Sequence, residues 1–238
     1  MFKSAVLIIH GFMGDISEVE YLLNYIKLNT NIDSYSFSLP GHDKYTLKNV
    51  EYTDWMDASR EMLKKLKKKY NTIYIIGHSM GAVIGSVLAI ENPEIKKLVL
   101  VAPAYIYLDL NENIGNIKSI IKSPIKNKEK YFDVTHKVMS TSILSMLEFR
   151  KLVEKYYDTP QKIKCNILIL HGEKDPVVPL KSCTYVYENV LSKDKHLTII
   201  EGETHALLYG NKKEEIARYI SSYLKGGIEW KIAKNLKI

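Results

Sequence analysis

The chain is poor in the residues that staple, anchor or bend a protein. Its 238 residues include two cysteines, Cys165 and Cys183. They form neither a CxxC motif nor a disulfide framework, so they read as small buried or half-buried thiols in a reducing, cytoplasmic setting. No apolar run approaches the roughly 20 residues that cross a bilayer. The segment after Met1 is short and lacks a small-residue cleavage site, so stable membrane insertion is not expected. Arginine is also scarce. Arg60, Arg150 and Arg218 are the three among 34 cationic side chains, and the net charge of +7 is almost all lysine. Lys64, Lys65, Lys67, Lys68 and Lys69 lie opposite an apolar stripe, which describes a solvated helix face and not a nucleic-acid surface.

What is present is a regular alternation of elements. Ala5 to Ile9 is a continuous apolar run bounded by turn residues, the mark of a strand buried on both faces. Val19, Leu22, Leu23 and Ile26 recur at helical spacing, and Asp33 to Leu39 alternates up to Pro40-Gly41. A helix is expected from Asp54, as N-cap, to Lys69, with Trp55, Met62, Leu63 and Leu66 inward. Strands are expected at Thr72 to Ile76, Lys97 to Val101, Asn166 to Leu170 and Leu197 to Ile200. Helices are expected at Met80 to Ile90, Leu180 to Leu191 and Lys213 to Lys225. Strand and helix in turn predict an α/β fold, a mostly parallel sheet with helices on both faces. Residues 105–161 break the rhythm. Helical spacing at Ile117, Ile120, Ile121 and at Ile143, Leu144, Leu147 predicts a small helical cap inserted between core segments 1–104 and 162–238. The basic stretch from Gly227 has no assigned role; binding to a membrane surface is one idea for it.

Chemistry concentrates at strand ends. Gly77-His78-Ser79-Met80-Gly81 fits G-x-S-x-G between a buried strand and a small-residue helix. A serine at such a sharp turn is lifted clear of the sheet, and the helix N-terminus faces the charge that develops in acyl transfer. A glycine-rich turn alone would explain the motif but not its context. Serine needs a base, and His205 lies in the loop after the last strand, at the same edge as Ser79. His42, His136 and His196 suit surface or structural roles. His10 and His171 suit hydrogen-bonding roles at strand ends, and His78 points away from Ser79 by alternation. Asp175, in His171-Gly172-Glu173-Lys174-Asp175-Pro176, is the carboxylate expected to hold the imidazole, with Glu173 its nearest rival. The amides of Met80 and Phe12 are the candidate oxyanion donors.

The set HGFMG, LPGHD (Leu39 to Asp43), GHSMG, HGEKDPVVP and GETHA resembles the α/β-hydrolase superfamily. More narrowly it resembles small bacterial carboxylesterases and monoacylglycerol-lipase-like hydrolases with a compact helical cap, from Ala5 to about Leu224. The resemblance implies a Ser79–Asp175–His205 triad, oxyanion amides at Phe12 and Met80, an acyl-enzyme, and no cofactor or metal. The fuller superfamily pattern places an antiparallel hairpin before the first buried strand, and this sequence starts without it. Tyr105 and Tyr107, with the apolar cap residues, are expected to bind a small-molecule ester such as a medium-chain acyl ester or monoglyceride. A thioesterase or an amide-cleaving peptidase would use the same triad. A binding protein on a hydrolase scaffold is the rival from another class.

Overall fold

The computed structural model describes residues 4–42, 50–107 and 143–227. Six strands form one sheet: β1 (Ser4–Ile9), β2 (Ile32–Ser36), β3 (Thr72–His78), β4 (Lys97–Val101), β5 (Asn166–Gly172) and β6 (Lys195–Ile200). Their spatial order is β2-β1-β3-β4-β5-β6, and every pairing is parallel. The chain winds outward in both directions from β1 and β3. The crevice beyond their carboxyl ends is where such sheets take ligands.

The two-residue period of the strands sorts the core into two layers. Leu7, Ile9, Ile75, Leu98, Leu100, Ile167 and Ile169 face one side, with α2 (Tyr52–Lys67), α3 (Met80–Glu91), α4 (Ile143–Tyr156) and α5 (Leu180–Asn189). Val6, Ile8, Ile76, Val99, Val101, Leu168 and Leu170 face the other, under α1 (Ser17–Asn29) and α6 (Lys213–Lys225). A strand buried on both faces can be apolar at every position, which is why these runs lack alternation.

Several boundaries differ from the sequence expectation by a few residues, two of them with a consequence for the site. Strand β2 ends at Ser36, and the following segment leaves the sheet so that the Leu39 amide donates to His10 Nε2 at 3.0 Å. Helix α2 begins with Glu51 as N-cap. Asp54 is its N3 residue, accepting from the Glu51 amide at 2.9 Å in a capping box.

Asp43, the positions Ile117, Ile120, Ile121 and His136, and the tail after Gly227 lie outside the described residues. The described remainder of interval 105–161 includes α4 and a 3-10 turn at Thr159–Lys162. Helix α4 buries Phe149, Leu152 and Val153, and leaves Leu144 and Leu147 exposed. Its Glu148 accepts from the Tyr52 amide at 3.1 Å, a carboxylate placed at the positive end of α2. Among the described residues no helix is long and apolar enough to cross a membrane.

Candidate active site

Four loops meet at the carboxyl edge of the sheet. The first follows β3. Ser79 has φ 55° and ψ −116°, an unusual conformation for a residue with a Cβ, and is the N-cap of α3. Its amide donates to the Val101 carbonyl at 2.9 Å, and its own carbonyl accepts from Ala82 at 3.0 Å and Ala104 at 3.3 Å. The strained turn is therefore held from both neighbouring elements. A Cβ on Gly81 would run into the Ile9 and His10 carbonyls, so the elbow can nest against β1 only with glycine there.

The second loop follows β1. Gly14 donates to the Gly11 carbonyl at 3.2 Å, closing a turn in which Met13 has φ 60°. A Cβ built on Gly11 would lie 3.1 Å from the Ser79 Cβ, which measures how closely this turn approaches the serine. Among the described residues the amides of Phe12 and Met80 donate to no acceptor. Unpartnered amides are uncommon in buried places, and donors of this kind can receive a negative oxygen. Among the described residues a third non-glycine residue with positive φ, Ala102, follows β4. All three strained residues thus sit just past the carboxyl ends of β1, β3 and β4.

The third loop, after β5, carries the acid Asp175, and a fourth, after β6, carries the base His205. Asp175 Oδ2 accepts from His205 Nδ1 at 2.7 Å, and the carboxylate is 0% exposed against 16% for the imidazole. The other oxygen, Oδ1, accepts from the amides of Val177 at 2.8 Å and Val178 at 2.9 Å. Burial raises the Asp175 pKa, but the His205 imidazole and these two amides more than offset it, and the carboxyl is held below its ordinary range. Glu173 is engaged elsewhere, accepting from the Gly202 amide at 2.9 Å. A Cβ on Gly172 would strike the Glu203 and Thr204 carbonyls, so this glycine lets the His205 loop close on β5.

With Asp175 on Nδ1, His205 Nε2 is the nitrogen left for a substrate-side proton. Among the described residues no hydrogen bond joins Ser79 Oγ to His205. Such links are commonly loose in ligand-free sites and tighten when substrate is bound. The strand-end histidines act as clasps. His10 accepts from Leu39, His171 Nε2 donates to the Val178 carbonyl at 3.0 Å, and His78 Nε2 donates to the His205 carbonyl at 3.1 Å. Burial lowers the pKa of His10 and of His171, keeping both rings neutral.

Aromatic side chains form one wall. Phe12 stacks on Phe149 with centroids 5.1 Å apart, and Phe149 stacks on Tyr107 at 4.8 Å. Of the two tyrosines expected to contact substrate, only Tyr107 presents surface here. Tyr105 is 2% exposed, packed in the core with its ring 6.2 Å from Tyr185. Among the described residues no cluster of three or more histidine, cysteine or carboxylate side chains could hold a metal.

Residues 2–127 and 107–212 match the family described as serine aminopeptidase, S33 (Hydrolase_4). The chain belongs to this family. The serine aminopeptidase family member described here is also similar to a thermostable monoacylglycerol lipase of Bacillus sp. (strain H-257), 24% identical over 216 residues, covering 84% of this chain and 82% of that protein. It is 22% identical to a carboxylesterase of Bacillus subtilis over 240 residues, covering 95% of this chain and 94% of the other. In fold it resembles the Paleococcus ferrophilus monoacylglycerol lipase, with a TM-score of 0.70, 17% identity, and coverage of 94% and 96% of the two chains. The expected α/β-hydrolase fold is the one observed.

One acidic side chain at this edge carries no motif in the sequence. Glu18, in the first turn of α1, looks like a solvated acid at a helix start. It nevertheless lies in line with Leu22 and Ile26 at i+4 and i+8, the buried stripe of that helix. That alignment was the available signal.

Proposed function

We propose that this family member is a carboxylic ester hydrolase that works through an acyl-enzyme on Ser79. Ser79 Oγ attacks the ester carbonyl carbon while His205 Nε2 takes the hydroxyl proton. The carbonyl oxygen becomes an oxyanion held by the Phe12 and Met80 amides, and the positive end of α3 adds to their field. As the carbon–oxygen bond breaks, His205 returns the proton to the departing alcohol. Water then attacks the acyl-enzyme by the same route and frees the acid. Asp175 holds the imidazole tautomer and stabilises the imidazolium without itself taking the proton.

The observation that carries this reading is the 2.7 Å Asp175–His205 bond, formed beside a serine held in a strained strand-to-helix turn. The lipase and carboxylesterase names of the relatives support the ester as substrate. The aromatic wall of Phe12, Phe149 and Tyr107 suits an apolar acyl chain or a monoglyceride. A cytoplasmic setting belongs to the same proposal. Cys165 and Cys183 are free, and burial pushes their thiols up to about 11 and about 12.

Amide cleavage is the second reading, because the family description names an aminopeptidase. An aminopeptidase must hold the substrate's ammonium with a free carboxylate. Among the described residues Asp175 is committed to His205 and two amides, and the lipase and carboxylesterase relatives favour the ester.

The test is a parallel screen of p-nitrophenyl esters from acetate to decanoate, monoacylglycerols, acyl thioesters and aminoacyl p-nitroanilides, with Ser79→Ala as control. The expected result is ester turnover that peaks above acetate and vanishes in Ser79→Ala. Turnover confined to anilides, or undiminished in Ser79→Ala, would overturn the proposal.

A further inference from the structure

Behind the acid–base pair stands a second carboxylate and imidazole that the reaction does not use. His78, preceding the nucleophile, is 2% exposed and cannot reach a substrate. Its Nε2–H is spent on the His205 carbonyl at 3.1 Å, and its ring centroid lies 4.9 Å from that of His205. On its other side, His78 Nδ1 faces Glu18 Oε2 at 3.6 Å, and the same oxygen accepts from the Gly11 amide at 3.3 Å. The Glu18 carboxylate also fills the space where a Gly14 side chain would stand. It is wedged against both ends of the turn that presents Phe12.

The protonation state follows from the geometry. With Nε2–H committed to a carbonyl, a neutral His78 would point the Nδ1 lone pair at a carboxylate oxygen, two acceptors facing each other in a buried place. A proton on Nδ1 removes that conflict and makes the pair ionic. The separation is too long for a hydrogen bond, so the attraction is mainly coulombic. In keeping with this, burial lowers the His78 pKa but Glu18 more than offsets it, and the net direction is upward. Burial likewise raises Glu18, and His78 and Gly11 bring it below its usual value. The ionisable groups facing His78 are Glu18 from α1, His10 beyond β1, Asp175, His205 and Tyr209.

We infer that Glu18 and His78 are positioning residues that register the oxyanion turn and the His205 loop to each other. The inference rests on Ser79, His205 and Asp175 being the catalytic group. Glu18 fixes the turn through the Gly11 amide and orients His78, and His78 fixes the base through its main-chain carbonyl. One carboxylate on α1 thereby sets the distance between the donors that receive the oxyanion and the imidazole that moves the proton. Errors well below an ångström matter in that distance, and a rigid supporting shell prevents them.

The experiment measures kcat and KM on a p-nitrophenyl ester, the rate of Ser79 labelling by a fluorophosphonate, and Tm, for wild type, Ser79→Ala, His78→Phe, His78→Gln and Glu18→Gln. Phenylalanine keeps the bulk and removes the donor. Glutamine places an amide N–H near the position of Nε2. The expected result is a fall in kcat of about 10- to 100-fold in His78→Phe. KM should stay within about twofold, labelling should slow in parallel, and most of the loss should return in His78→Gln. Glu18→Gln keeps an acceptor for Gly11 but loses the charge, and should lower kcat about tenfold.

The pair's role is overturned if folded His78→Phe and Glu18→Gln keep wild-type kcat. It is also overturned if His78→Gln is as slow as His78→Phe, or if the loss in kcat only follows the loss in Tm. Should His78→Phe fail to fold, Glu18→Gln and His78→Gln decide by the same criteria. A wild type that neither labels at Ser79 nor turns over esters removes the catalytic reading itself, and the pair's role with it.

Discussion

Two carboxylate–imidazole pairs stand back to back at this sheet edge, and they differ in what each imidazole has left to give. In Asp175–His205 the carboxylate is fully buried and locked by two backbone amides, while the ring keeps Nε2 and some exposure toward the crevice. In Glu18–His78 the ring is buried, one nitrogen is hydrogen-bonded to a carbonyl, and the other faces the carboxylate at 3.6 Å. In the proposed mechanism the first pair moves a proton and the second holds a place. Residue type does not separate these roles. The number of uncommitted nitrogens does.

The sharpest way to break the comparison is to disable each acid in turn. Asp175→Asn should lower kcat by about 1000-fold or more in steady-state assays, because the wrong tautomer of His205 would be presented to Ser79. A loss no larger than that of Glu18→Gln would erase the distinction between the pairs.

A next, smaller effect is expected at Gly172. Gly172→Ala pushes a methyl into the Glu203 and Thr204 carbonyls, displacing the His205 loop while leaving Glu18–His78 in place. Overpacking of this kind costs about 1–3 kcal/mol, so urea denaturation should show lower stability together with a reduced kcat.

Acid should weaken both pairs, since Asp175 and Glu18 each have a lowered pKa, whereas alkali should weaken Glu18–His78. Asp175 has a lowered pKa, so its contribution to stability is present above its ordinary value of 3.8 and is lost as pH falls through the lower folded value. His78 has a raised pKa, so its contribution is complete below 6.5 and is lost as pH rises through the higher folded value. His10 and His171, lowered by burial, add a loss of stability that begins as pH drops below 6.5. Urea midpoints measured across pH should show Glu18→Gln flattening the alkaline fall and Asp175→Asn flattening the acid one. An alkaline fall unchanged in Glu18→Gln would contradict the ionic assignment.

The smallest change is expected from Glu173→Gln. Its amide oxygen can still accept from Gly202, so kcat should move by less than about threefold. A loss near that of Asp175→Asn would make Glu173 the orienting acid instead.

Much of this site was readable before folding because its groups are tied to punctuation in the chain. The elbow is flagged by glycines between a buried strand and a helix, and Asp175 by the strand-end His171-Gly172 pair before it and Pro176 after it. His205 is placed by falling between β6 and α6. Glu18 was passed over because an acid in a first helical turn usually faces water. Only its alignment with Leu22 and Ile26 marks it as inward. The amides of Val177 and Val178 could not be read at all, since main-chain donors have no letter in the sequence and depend on how the turn closes. Tyr105 and Tyr107 sit two residues apart, yet one is core and the other wall, because the chain is leaving β4 where no simple period applies. The helix start at Tyr52 was missed for a related reason, since Glu51 caps as part of a reciprocal pair with Asp54.

The most direct measurement is rapid-quench mass spectrometry with a p-nitrophenyl ester turned over by the wild-type protein. An acyl group of the substrate's mass should appear on the peptide that contains Ser79, at a rate no slower than overall turnover. Turnover with Ser79 unmodified throughout, or with the acyl group on another residue, would contradict the account.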